Sequence, residues 1–476
     1  MQRARSLAAS AVLFSLCACN SILGNEEGRL AATSGGGGGG GGAGPPCVHP
    51  FDATKASQLG GLGLVSQAKS QVTTGTGSLT SAFARGINSE LALAGALDGK
   101  VAIGSDPFTF EAHSHFIANV EPATGLTLYS PKEVPGPGVA LPSMAAPATF
   151  YATEFSGQTT IDGMPIQGNG PGKNVVLVRF DEQMKIQTAR YLSVGQDEAV
   201  TWWAIDRTTE APVVFARISA SEGVRTHVFR FNAALDTPKW LLVDGAPDAL
   251  AGVHDAAVDL NSGAAVLSVA PKQTLSINGV NSETLEDPAK VGVVVRVGED
   301  GVEWVSLLHG LSADQVSAGV QRTFVAGRIL TPGANLVIGK QERAQCGKPG
   351  SAFVAALGAD GKPEWMGTLA GLEAIHELVH DGSSVALLGS ATGPVEFGDT
   401  VANVPAGLVV IQLDQAGTVQ WVQNIVGLKS ARLASAQAAL ALYGEFSGSL
   451  ALGKTTLVSA SPAGPADFLA LLGAGE

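Results

Sequence analysis

The chain has 476 residues, of which only 15% are charged and 61 are glycine, and its formal net charge is −13. That balance excludes a basic groove following phosphates along a nucleic acid, and it makes anionic lipid headgroups poor electrostatic partners. Length admits one large domain or several ordinary ones, so the pattern along the chain has to decide.

Residues 1–18 have the layout of an export signal. Arg3 and Arg5 precede an apolar run over 7–16, too short to span a bilayer, and small residues follow. Residues 19–54 are polar and small, with eight consecutive glycines at 35–42. Such a stretch buries too little apolar surface to order itself and acts as a flexible tether with a reach on the order of 30 Å. The junction Leu16-Cys17-Ala18-Cys19 resembles the lipobox of bacterial lipoproteins. The resemblance implies that Cys19 is diacylated and becomes the first residue of a membrane-anchored protein. Asn20 stands where enteric lipoproteins retained at the inner membrane usually carry Asp, which favours the outer membrane or cell surface of a Gram-negative bacterium. The alternative is an ordinary signal with two incidental cysteines.

Residues 55–476 read as one domain built from a repeat. Apolar strand cores at 116–120, 176–180, 227–231, 293–297, 353–357, 409–413 and 468–472 recur at a mean spacing of about 59 residues. Turn residues such as Asp360-Gly361 follow most of them. Ahead of each core lies a first strand, at 91–97, 151–155, 213–218, 264–269, 323–329, 385–391 and 442–446. Between the two, a short second strand ends in an apolar residue before glycine, as in Ile103-Gly104, Ile338-Gly339 and Leu452-Gly453. A fourth strand carries Trp240, Trp304, Trp365 or Trp421. Four antiparallel strands per unit, repeated radially, is the logic of a β-propeller. The expected fold is therefore all-β, with about seven four-stranded blades and the first strand of each unit innermost. The third copy is the most degenerate. The last copy stops without its fourth strand, so residues 62–65 or 71–73 are expected to supply it and close the ring, the alternatives being an open or eight-bladed form.

Gly444-Glu445-Phe446-Ser447-Gly448 together with Asp467-Phe468-Leu469-Ala470 resembles the SBBP β-propeller repeat of secreted and lipid-anchored bacterial proteins. That resemblance implies a fold and carries no chemistry. The segment Asp360-Gly361-Lys362-Pro363-Glu364-Trp365 is similar to the tryptophan-docking repeat of quinoprotein propellers. No quinone-binding constellation accompanies it, and no cofactor is expected.

Few residues suggest chemistry. Outside the signal and the anchor, Cys47 and Cys346 remain, and an isolated pair in an oxidising compartment is expected to form a disulfide, the alternative being two free thiols. His376-Glu377-Leu378-Val379-His380 is a literal HExxH string. Zinc chemistry needs it on a helix, where both imidazoles reach one face. The repeat register instead puts 375–380 on the approach to a turn before an innermost strand at 385–391, so His376, Glu377 and His380 are only nominal metal candidates, with Glu396 a nominal third ligand. His113 and His115 could form a same-face pair but read as solvated histidines. No serine elbow, phosphate loop or calcium loop occurs in a supporting context. The sequence thus favours a non-enzymatic, surface- or periplasm-facing binding or scaffold protein for a protein or glycan partner. Its alternative is an extracellular propeller enzyme, a hydrolase or lyase in the central funnel or a metallopeptidase through 376–380.

Overall fold

The computed structural model describes residues 63–473, apart from short stretches within that span. The signal, the tether, Cys19, Cys47, Cys346 and His113 lie outside the described residues. Among the described residues the chain is almost all strand, with no α-helix. Apolar runs this short, bounded by Gly, Asp and Pro, suit strands better than helices.

The strands form antiparallel sheets, mostly from consecutive segments. Among the described residues four sheets have four strands, one has five and one has eight. One four-stranded sheet runs Ala199–Arg207, Pro212–Ala220, Gly223–Arg230, Lys239–Leu242. The eight-stranded sheet arises because Pro363–His380 is long enough to pair with Ala352–Leu357 through its first half and with Ser384–Phe397 through its second. The last sheet breaks consecutive order. Leu428–Ala436, Ala439–Ser447 and Pro465–Gly473 are followed by Gly63–Ala68, with Gly63 opposite Gly473 and Ala68 opposite Leu469. A strand from near the other end of the chain thus takes up the free edge. Gln71–Thr74, the other stretch the sequence offered, pairs with Lys100–Ile103 instead.

Two expectations are corrected. The stretch 385–391 is the second strand of its sheet: Ser384–Phe397 lies between Pro363–His380 and Gly407–Asp414. Residues 375–380 run, as expected, up to the strand at 385–391, with His380 opposite Val385, but they form the strand on its cavity side. The short strands ending before glycine are arms of separate hairpins, such as Asn335–Ile338 with Gln341–Ala344 and Ser449–Leu452 with Thr455–Val458. Both errors have one cause. Most of the edge strands are bulged, which breaks the apolar period that would announce them.

Middle strands show no apolar/polar alternation because both their faces are covered. Val293 and Val295 pack with Val213 and Phe215 of the preceding sheet, and Val294 packs with Val325 and Phe353 of the following one. Val385 and Leu387 likewise join one cluster, Ala386 and Leu388 the next. Each fully buried Val, Leu or Phe contributes about 1.5–3 kcal/mol. Sheets also interlock at the rim. The ring of Trp304 lies so close to Gly361 of the next turn that a Cβ there would sit 2.7 Å from it, and Trp365 stands in the same relation to Gly417, at 2.9 Å. Trp365 Nε1 donates to the Gln415 carbonyl over 2.9 Å. Trp240, in the degenerate third copy, is 57% exposed.

The edge strands meet in succession. Ser78–Ala84 touches Gly138–Pro142, which touches Ala199–Arg207, and so on through Leu250–Val258, Gln315–Gly319, Pro363–His380 and Leu428–Ala436, which touches Ser78–Ala84 again.

Candidate functional site

Six of these edge strands line one cavity of about 420 Å³. As edges they present backbone N–H groups that no ladder partner accepts, and buried N–H groups need acceptors. Three carboxylates fill that need. Asp206 accepts from the Val258 N–H at 2.7 Å, Asp255 from the Val316 N–H at 2.9 Å, and Glu377 from the Leu433 N–H. In each case the acid is on one edge strand and the donor on the next.

Two of the acids, Asp255 and Glu377, are aimed by β-bulges, which insert one residue and re-direct its neighbours. Val253 faces Val269 and Asp255 faces Ser268, leaving His254 as the extra residue. Ile375 faces Gly389 and Glu377 faces Leu388, leaving His376. His254-Asp255 and His376-Glu377 are therefore the same device in two sheets: a bulged, exposed histidine at the cavity followed by an acid that fastens the next strand. Half of the HExxH string is explained by this repeat.

The Asp255 pKa is pushed up to about 7, chiefly by burial and further by the nearby Glu377 and Asp206 charges, against the downward pull of two backbone N–H bonds. Glu377 is also pushed up by burial and pulled back by Arg432, whose Nη1 donates to Glu377 Oε1 at 2.7 Å, and by the Leu433 N–H. His376 is lowered by burial and by Arg432, and its Nε2 lies 2.5 Å from Ser390 Oγ.

His376 and His380 occupy one extended strand, where residues i and i+4 stand about 13 Å apart. His380 is buried and stacks on Phe324, ring centroids 5.2 Å apart. Glu396 is exposed on the far end of its strand, opposite Ala370. Among the described residues no group of three or more His, Cys, Asp or Glu could hold a metal ion. His115 is half-buried opposite Ala96, and burial lowers its pKa. Sequence reasoning missed Trp203, Asp206, His254, Asp255 and Arg432, all at the cavity. The available signal was the His-acid dipeptide recurring a few residues ahead of a long apolar strand.

No family profile and no curated protein matches the chain. Among solved structures it is similar to polysaccharide lyase Uly1, at 8% identity over 81% of this chain and 88% of that one, with a TM-score of 0.43. It is also similar to the WD40 domain of SCAP from fission yeast, at 10% identity, 85% and 98% coverage and a TM-score of 0.40. A Synechocystis apocarotenoid oxygenase variant matches at 12% identity, 89% and 97% coverage and a TM-score of 0.35. Likenesses this distant carry no argument about what the chain binds or does.

Proposed function

We propose that the protein is a closed seven-bladed β-propeller, tethered to the outer membrane or cell surface through lipid on Cys19, that binds a protein or glycan partner at its central cavity. The blade count follows if the eight-stranded sheet is counted as two blades that share Pro363–His380. Gly63–Ala68 pairing with Pro465–Gly473, and Leu428–Ala436 touching Ser78–Ala84, support closure.

One observation carries binding over catalysis. The cavity's acids are already committed to backbone N–H groups of neighbouring strands, so their first task is to hold the ring together. The hydrolase or lyase reading draws on Asp255 alone, whose pKa of about 7 would suit a general acid or base. Capture from native surface material, with the tethered chain as bait, separates the readings. A partner retained by wild type and lost by an Arg432→Ala variant that still folds supports binding. Turnover of a surface polymer that Asp255→Asn abolishes would overturn it in favour of an enzyme. Partitioning into detergent that Cys19→Ala leaves unchanged would remove the anchor.

A further inference from the structure

The cavity presents hydrogen-bond acceptors and donors side by side. Asp255 accepts one backbone N–H on each carboxylate oxygen, and each oxygen keeps a further lone pair. Arg432 spends one of its nitrogens on Glu377, leaving the rest of its planar donor fork at the cavity. Gln315, on the strand between the two histidine bulges, adds an amide that both donates and accepts. Trp203 supplies an aromatic wall. Three carboxylates, Asp206, Asp255 and Glu377, against one guanidinium disfavour an anion, and a purely apolar guest would leave these polar groups unpaired. A mixed surface of this kind matches groups that donate and accept at once, which is the property of a hydroxyl, while the indole suits the C–H face of a ring. The volume, about 420 Å³, falls within the usual range for small-molecule sites.

We propose that the central cavity is a saccharide subsite, taking a neutral, polyhydroxylated sugar ring against Trp203 with its hydroxyls bonded to Asp255, Gln315 and Arg432. This rests on the reading of the protein as a binding propeller and names the chemistry of what enters the cavity. His254 and His376, bulged from their strands, stand beside the acids and add imidazole donors or acceptors.

The test is ligand-observed NMR on the whole exported chain with a panel of neutral methyl glycosides, alongside a uronic acid and an alkylamine of similar size. The expected result is saturable binding of at least one neutral glycoside, weakened tenfold or more by Asp255→Asn and by Trp203→Ala. Binding should be unchanged by Trp240→Ser, a substitution on the outer strand Lys239–Leu242. Thermal melting of each variant establishes that it folds. Asp255→Asn removes a desolvated carboxylate, so lost binding in a protein no less stable than wild type would tie the effect to the ligand. No glycoside binding, preference for the uronic acid or the amine, or affinity indifferent to both cavity variants would overturn the saccharide subsite. If a protein partner is still captured in that event, the saccharide assignment alone fails; if nothing binds at all, the binding reading fails with it.

Discussion

The middle strands and the cavity-edge strands of this molecule obey opposite rules. A middle strand such as Val291–Val297 is buried along its whole length, paired on both sides and covered on both faces. An edge strand such as Leu250–Val258 is paired on one side, bulged twice, and mixes exposed with half-buried residues. Apolar packing holds the first kind in place, whereas carboxylates reaching across to the next strand's N–H groups hold the second. The difference teaches where this fold can vary. Changes in middle strands act on apolar packing, and changes at the edges act on the lining of the cavity.

The comparison breaks most severely by emptying a middle strand. Phe353 is fully buried in the cluster with Val294 and Val325. Phe353→Ala should cost about 3–5 kcal/mol of unfolding free energy in a denaturant titration, the range for a large core side chain removed without full collapse of the site. A loss below 1 kcal/mol would mean that the sheets are not tightly stacked there.

The rim contacts give an intermediate effect and supply their own control. Gly361 and Gly163 share a φ of +78°, but a Cβ on Gly361 would strike the Trp304 ring while one on Gly163 would meet nothing within 4 Å. Gly163→Ala should cost about 1 kcal/mol from the left-handed backbone alone. Gly361→Ala should cost about 2–3 kcal/mol because overpacking adds to the same strain. Equal losses would show that tryptophan docking contributes nothing.

The smallest effect lies at the edge and depends on pH. Asp255 has a folded pKa of about 7 against an ordinary 3.8, so the folded state holds its proton more tightly than the unfolded state does. The stabilisation is complete below about pH 4, declines as pH rises from 4 to 7 and is gone above 7. Asp255→Asn should therefore be more stable than wild type at pH 8 by about 1–2 kcal/mol, with the gap closing as pH approaches 4. The shift alone allows more, but an amide nitrogen facing a backbone N–H gives part of the gain back. Melting both proteins across that range reads the effect directly, and a gap that widened toward acid would reverse the sign of the argument.

Composition and periodicity were sufficient for the all-β class, the positions of the middle strands, the turn glycines and the tryptophans of the outer strands. These features are local: an apolar run bounded by Asp and Gly folds the same way wherever it lies. The stretch 385–391 was misplaced as innermost because Pro363–His380, which lies on its cavity side, is broken by bulges, and a single bulge at His376 shifts every later side chain by one. The cavity was less legible still. Asp206, Asp255, Glu377 and Arg432 lie on four different strands, and the hydrogen bonds that fasten them across to the next strand span 52 to 61 residues of sequence. Sequence alone determined the apolar strands of each unit and left their cavity edges unannounced. Only the tertiary structure decided what those edges do, because an unpaired N–H takes whichever acceptor the neighbouring sheet brings within reach, and which sheet that is depends on the stacking of the whole.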